Sequence, residues 1–283
     1  MHLVSRFNVP DLGIGVGYRV PHYEQVVHEH PEMDWFEVIS ENFMDDGGLP
    51  QVFLERLRDH YRVVPHGVSL NLGGEGNPDH LRRLRALADR IDAPWVTDHV
   101  CLTGTPSVQV HDLLPVPYTT DVLAHMAERI RRVQGTLGRP FAVENPSSYL
   151  TWKASEMPEW AFLADLVERA DCGILLDVNN VYVSACNHGF DPVQYIDALP
   201  VDRVVQVHLA GHSIRRGFRL DTHDAPVSDE VWALYRHAVQ RIGPVSTLIE
   251  WDGHIPSFAR LQQEVERARQ VRDEALAEVR HAA

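Results

Sequence analysis

The sequence predicts a (β/α)8 TIM barrel, and three observations carry that prediction. Eight short β-rich apolar runs recur along the 283 residues. Their starts lie roughly 20 to 50 residues apart, which is too far for hairpins and suits βα units. Between them, apolar residues recur at i, i+3 and i+4, the mark of amphipathic helices. Eight such repeats in a chain of this length fit one barrel.

The strand runs are 12–17, 35–40, 63–70, 95–100, 141–144, 173–178, 204–209 and 247–251. The helical segments follow in register. Residues 50–61 carry Val52, Phe53, Leu54 and Leu57, and 80–91 carry Leu81, Leu84, Leu87 and Ala88. Residues 120–137 carry Val122, Leu123, Met126, Ile130 and Val133. Segments 160–170, 228–242 and 257–279 complete the set, the last alternating Glu and Arg as a partly exposed closing helix. Asp79, Ser228 and Ser257 are expected as N-caps, and Pro192 after Asp191 marks a further first turn. The connection 101–118 is broken by Gly and Pro and is expected to cover the active face.

The runner-up fold is a doubly wound open sheet with a glycine-rich phosphate loop. Gly13, Gly15 and Gly17 imitate such a loop, but they fall inside the first strand and Tyr18-Arg19 follow. No Pro/Ser-rich linker divides the chain, so 1–283 is expected to be a single domain.

Composition excludes several classes of function. Acidic side chains number 40 against 26 basic ones, a net charge of −14, and Lys153 is the only lysine. Such a chain is poorly suited to neutralising nucleic-acid phosphates or anionic membrane surfaces. No apolar run reaches the ~18 residues of a membrane span. Met1 to Asp11 lacks the charged start and apolar core of a signal peptide, so the cytoplasm is expected. Cys101, Cys172 and Cys186 form no CxxC and are expected as reduced thiols, Cys101 buried and inert. The 17 histidines are the outlier and direct attention to metal sites.

In a barrel of this kind the C-terminal strand ends converge on one mouth. Six successive runs, the third to the eighth, place His or a carboxylate there: His66, His99, Glu144, Asp177, His208 and Glu250. The loop after the seventh adds Asp221-x-His223. These groups sit among apolar neighbours, where an unpaired charge is costly. A bound cation satisfies converging imidazoles and carboxylates, and eight such ligands exceed the needs of one ion. Two or three metals with bridging carboxylates are therefore expected, with Glu144 and Glu250 central. His28, His30, His60, His80, His125, His237 and His281 lie on helical or terminal stretches and are expected to face solvent. His111, His188, His212 and His254 fall in mouth-side loops and are left open. The ligand types suit iron, zinc or manganese alike.

The strand-end pattern resembles the xylose-isomerase-like barrel superfamily, and within it the trinuclear zinc apurinic endonucleases. Asn180 departs from that pattern, since those enzymes carry histidine three residues after the Asp. Longer stretches carry a closer resemblance: GIGVGYR, FEVISENFM, PHGVSLNLGG, HDLLPVPYT, ENPSSYL, LLDVNNVYVSACNHGFDP, QVHLAGH, DTHDAPV and EWDGHIP. They resemble the multinuclear non-heme iron-dependent oxidative enzymes, the family of methanobactin biosynthesis protein B. The resemblance implies two or three irons, Fe(II)/Fe(III), with dioxygen as co-substrate. It implies a ribosomal precursor peptide as substrate, oxidised most often at cysteine, and a partner protein that recognises the leader. It also implies His66, His99, Glu144, Asp177, Asn180, His208, Asp221, His223 and Glu250 as ligands, with Glu144, Asp177 and Glu250 central to catalysis. Glu41, Asn42, Asn71 and Asn145 flank the mouth and are expected to orient ligands or hold substrate. Two other classes stand beside this one. One is a zinc phosphodiesterase or sugar isomerase on the same barrel. The other is a non-catalytic metal-binding protein.

Overall fold

The computed structural model describes residues 6–45, 47–105 and 108–282. Met1–Ser5, part of the amino-terminal stretch considered above, lie outside the described residues. Eight parallel strands close into a barrel: β1 (Ile14–Gly17), β2 (Trp35–Ile39), β3 (Arg62–His66), β4 (Val96–His99), β7 (Phe141–Glu144), β8 (Gly173–Asp177), β9 (Val204–Leu209) and β12 (Ser246–Ile249). Around the barrel the order is β1-β12-β9-β8-β7-β4-β3-β2, so β1 pairs with both β2 and β12 and leaves no edge. The expected closed barrel is the fold observed, and the open sheet is not. Each of the eight runs predicted from the sequence supplies one barrel strand, shifted by a few residues at most except at the end of the third.

Helices follow every barrel strand: α1 (Tyr23–Glu29), α2 (Leu49–Arg58), α3 (Pro78–Arg90), α4 (Thr120–Leu137), α5 (Glu159–Ala170), α6 (Val178–His188) with α7 (Pro192–Ala198), α8 (Asp229–Ile242) and α9 (Phe258–Ala282). Ser228 caps α8 by accepting from Val231 N, and Asp191 caps α7 through Val193 N. Ser257 directly precedes α9, and its carbonyl accepts from Arg260 N and Leu261 N. Asp79 is not a cap. Asn77 accepts from the Asp79 and His80 amides, and Pro78 fills the first helical position, where no amide hydrogen is needed. The predicted span of the sixth run also shortens. Asp177 ends β8 and caps α6 through Asn180 N at 2.6 Å, so Val178 begins a helix instead of ending a strand.

The connection 101–118 contains an antiparallel hairpin, β5 (Leu102–Thr105) and β6 (Val108–Leu114). A second hairpin, β10 (Ser213–Arg215) and β11 (Phe218–Leu220), follows β9. Both sit on the C-terminal face of the barrel. Among the described residues no helix is long and apolar enough to cross a membrane. The three cysteines are free thiols, with Cys101 and Cys172 buried and Cys186 exposed.

Strand β2 shows how the barrel is filled. Alternate side chains point to opposite faces. Phe36 points outward against Tyr61 and Phe258, while Trp35 points inward against Trp95. The lower interior is closed by Trp35, Val64, Trp95, Ala142, Val205 and Leu248, all buried. Burying each large apolar side chain stabilises the fold by about 1.5–3 kcal/mol. The glycine run of β1 makes room here: a Cβ on Gly15 would lie 2.6 Å from the Trp35 indole, and one on Gly17 would lie 2.7 Å from the Arg19 guanidinium. The glycines therefore serve packing inside the barrel rather than a phosphate loop.

Candidate metal centre

Two residues above the tryptophan floor the barrel interior changes character. Glu37 follows Trp35 on the inward face of β2 and is 1% exposed. Gln206 links the layers: its Oε1 accepts from Trp95 Nε1 at 2.7 Å, and its Nε2 donates to Glu37 Oε2 at 2.6 Å. The same Glu37 oxygen lies 3.1 Å from His208 Nε2. That contact turns His208 Nδ1 toward the mouth, 3.1 Å from Glu250 Oε2 and 3.9 Å from Glu144 Oε1.

The other imidazoles are aimed in the same way. His66 Nδ1 is hydrogen-bonded to Thr97 Oγ1 at 2.7 Å, and its Nε2 lies 3.3 Å from Glu144 Oε2. His99 Nδ1 donates to the Gly67 carbonyl at 3.1 Å, and its Nε2 lies 3.2 Å from the same Glu144 oxygen. His223 sits at φ 44°, a left-handed backbone that costs free energy for a side-chain-bearing residue. It is held there by Asp252 N and Gly253 N, which donate to its carbonyl at 2.8 and 3.1 Å. Its Nε2 lies 2.6 Å from Asp221 Oδ1, and its Nδ1 lies 3.3 Å from Glu250 Oε2 and 3.0 Å from Asp252 Oδ2.

Four overlapping triads result: His66–His99–Glu144, Glu37–His208–Glu250, Glu144–Asp177–His208 and Asp177–His223–Glu250. Within each, the facing atoms lie within 4.8 Å of one another. The nine expected ligands therefore come together. Asp221 joins through His223, and Asn180 through its Nδ2, which donates to the Asn145 carbonyl at 3.1 Å and lies 3.5 Å from Glu144 Oε1. Glu144, His66, His99, Asn180, Asp221, His223 and Glu250 line a cavity of about 280 Å3, while Asp177 and His208 are fully buried beside it.

Buried imidazoles and carboxylates at this centre shift one another strongly. Burial, then the His208 charge acting oppositely, then Asp177 and Glu250, set Glu144, and the sum pushes its carboxyl well up. Burial and the Asp221 charge raise Asp177 to about 7. Burial opposes charge on His208 and His223. Glu37 and Glu250 around His208, and Asp221 and Glu250 around His223, override it and push both well up. His66 and His99 go the other way: burial pushes His66 well down and His99 to about 4, which favours the neutral imidazole. For Glu250, burial and the Asp252 charge are outweighed by His208 and His223, leaving it at about 2. Glu144 Oε2, Asp177 Oδ2, Asn180 Oδ1, His208 Nδ1 and His223 Nε2 are buried with no hydrogen-bond partner of acceptable geometry among the described residues. Buried imidazole nitrogens and carboxylate oxygens that converge in this way are an arrangement a metal satisfies, and the mixed imidazole–carboxylate donors suit non-heme iron, zinc or manganese.

The flanking residues surround this centre. Asn145 spends its amide on the Asp177 backbone, accepting from N at 3.0 Å and donating to O at 2.9 Å. Asn71 braces the β5–β6 hairpin, accepting from Thr103 N and donating to Gly104 O. Glu41 accepts from Val68 N at 3.1 Å, and Asn42 is exposed. None of the four lines the cavity. His80, expected in solvent, is instead half-buried against Glu41 at 3.4 Å, because α3 packs over that turn. His212 donates from Nδ1 to Asn179 Oδ1, and Asn179 in turn donates to Asp221 at 2.7 Å. His188 is bonded to Ser148, and His254 is exposed. The side chain of His111 lies outside the described residues.

Sequence reasoning missed three site residues. Glu37 carried a signal, an acid within the apolar run WFEVI. Arg19 and Asp252 carried none: Arg19 donates from Nε and Nη2 to Asp252 Oδ1 at 2.8 and 2.6 Å and from Nη2 to Glu250 Oε1 at 3.3 Å, contacts between the two ends of the chain.

Comparison with known proteins bears on this centre. Residues 13–273 match the family model described as RiPP precursor modification enzyme MbnB/TglH/ChrH. A UPF0276 protein of Anaeromyxobacter sp. strain Fw109-5 is 51% identical over 274 residues, covering 96% of this chain and 97% of its own length. A UPF0276 protein of Caulobacter vibrioides strain NA1000 is 50% identical over 260 residues, covering 91% and 93%. Among solved structures, an L-ribulose 3-epimerase matches with a TM-score of 0.60 at 15% identity, covering 95% of this chain and 96% of that one. A xylose isomerase domain protein from Planctomyces limnophilus matches with a TM-score of 0.59 at 11% identity, covering 96% and 100%. At such identities the likeness speaks for the xylose-isomerase-like barrel alone.

Proposed function

We propose, since this chain belongs to the MbnB/TglH/ChrH family of RiPP precursor modification enzymes, that it is a multinuclear iron enzyme that uses dioxygen to oxidise a ribosomal precursor peptide at cysteine. The observation that carries the metal reading is the set of four overlapping triads with unpartnered, inward-facing donor atoms. Iron, dioxygen and cysteine enter through the resemblance of the sequence motifs and are compatible with the donor set.

His66, His99 and Glu144 would hold one ion. Glu144, Asp177, His208 and Glu250 would hold a second. Asp221 and His223, with Asp177 and Asn180, would hold a third, weaker because an amide oxygen replaces an imidazole. Iron there supplies Lewis acidity toward a peptidyl thiolate and electrons for the reduction of dioxygen. The protein's own part is geometric. Glu37, Thr97 and the Gly67 carbonyl fix the orientations of His208, His66 and His99. Arg19 holds Glu250 and Asp252 in place from behind. The floor of tryptophans closes the barrel below the centre, so substrate enters from the mouth alone. A leader-recognising partner protein completes the reading, in a bacterial cytoplasmic setting without nucleic acid or membrane.

Metal analysis of anaerobically isolated protein, with Mössbauer spectroscopy, tests this directly. Two or three irons per chain and oxygen consumption that depends on a cysteine-containing precursor are the expected results. Protein that carries no iron, or that keeps full activity after iron removal, refutes it.

A further inference from the structure

A second cavity opens beside the mouth. It holds about 220 Å3, with Val116, Leu150, Trp152, Met157, Trp160 and Phe190 among its walls. Two chain segments separate the cavities and line both. In 146–152, Pro146, Ser147 and Tyr149 face the mouth, while Ser148, Leu150 and Trp152 face the second cavity. In 112–118, Asp112 and Leu113 face the mouth, while Pro115, Val116 and Tyr118 face the second cavity. The Trp152 indole ties the segments together by donating to the Pro115 carbonyl at 2.9 Å. On their shared rim Tyr149, Leu150 and Trp152 are 44%, 47% and 44% exposed, a cluster of large apolar side chains that lone surface residues do not form.

We propose that this cavity is a specificity subsite that takes an aromatic or branched aliphatic side chain of the precursor peptide, a few residues along the chain from the one being modified. The proposal rests on the peptide-modifying reading above and adds where sequence preference resides. The mouth and the cavity share their dividing walls, so an extended peptide leaving the mouth over 146–152 meets the cavity next. Successive side chains of an extended peptide point to opposite sides, which lets one segment fill both. The walls also select against charge. Glu159 is the one carboxylate lining the cavity among the described residues, and its oxygens already accept from Tyr118 Oη at 2.9 Å and Tyr195 Oη at 2.7 Å. Burial raises its carboxyl further from ionisation, so it offers a cationic side chain little. His188 is engaged by Ser148 Oγ at 2.8 Å, and among the described residues no Lys or Arg lines the cavity.

The test uses the metal-loaded full chain under anaerobic conditions and two peptide series, acetyl-Cys-Gly-Gly-X-Gly-amide and acetyl-X-Gly-Gly-Cys-Gly-amide, with X as Phe, Leu, Ala or Lys. In at least one order, Phe or Leu is expected to bind about tenfold more tightly than Ala, from the apolar area removed from water. Replacing Cys by Ser in the peptide should leave that preference in place. Leu150→Glu, at an exposed position, should abolish it with metal content and thermal stability retained, and Met157→Glu, whose side chain packs against the core, should abolish it with metal content retained. Equal binding of all X in both orders, a preference for Lys, or a Phe preference that survives both substitutions overturns the proposal. A preserved Phe preference in protein that never consumes oxygen counts against the oxidase reading and for the subsite. Oxygen consumption indifferent to X does the reverse.

Discussion

The floor and the mouth of this barrel are built from the same strands and obey opposite rules. On the floor, Trp35, Trp95, Val64 and Leu248 exclude water, and the one polar hydrogen of Trp95 is paired with Gln206. One inward step higher, Glu37, His208, Glu144 and Asp177 are buried as deeply, yet several of their donor atoms meet only each other. The floor is satisfied by the protein itself. The mouth gathers buried imidazoles and carboxylates whose converging atoms a bound cation would satisfy, where an unpaired polar atom is costly.

The comparison is broken most severely at Glu144. Glu144→Gln should empty the site it shares with His66 and His99 and stop oxygen consumption. The metal-free variant should be as stable as metal-free wild type, since burial already drives that carboxyl toward its neutral form. Metal analysis and thermal denaturation read both effects, and a metal-free variant that unfolds like a damaged core would erase the distinction between the two regions. Trp35→Ala should do the opposite, costing about 3–5 kcal/mol of stability while folded molecules still load metal. Glu37→Gln sharpens the boundary between them. It leaves His208 Nε2 without its carboxylate partner, and metal affinity by competitive chelation should fall about 10- to 100-fold.

A smaller effect follows from pH. Asp177 is raised from its ordinary 3.8 to about 7, by burial first and the Asp221 charge next. The folded metal-free chain thus keeps a proton that the unfolded chain gives up. Its contribution to stability is fullest below the unfolded value and is lost as pH rises to about 7. Metal must displace that proton, so calorimetry in buffers of different ionisation enthalpy should show about one more proton released at about pH 6 than at about pH 8. Asp177→Asn should remove the difference. Ser228→Ala, at the α8 cap and away from both regions, should cost about 1 kcal/mol by denaturant titration and leave metal content unchanged.

Much of the centre was legible in the sequence because its chemistry is unusual where it occurs. His66, His99, Glu144, Asp177, His208 and Glu250 end apolar runs, and nothing in strand formation asks for an acid or an imidazole there. Glu37 was legible in principle but sat mid-run, where it reads as an interruption. The Gly13–Gly15–Gly17 series was ambiguous, because room for an indole and room for a phosphate ask for the same residue. His80 was misread as solvated because helical periodicity reports which face is polar, and not that Glu41 lies above it.

What the sequence determined by itself was the alternation of strands and helices, the caps at Asp191 and Ser228, and the identity of the candidate ligands. These depend on side chains within a few positions of each other, where periodicity and capping act. Closure of the barrel decided the rest: the pairing of Arg19 with Asp252, the aiming of His208 by Glu37, and the cavity shared by 112–118 and 146–152. Those contacts join residues tens to hundreds of positions apart, and they exist only after β1 meets both β2 and β12. Local propensity carries no record of which distant side chain will be brought near, because that is set by the packing of the whole interior.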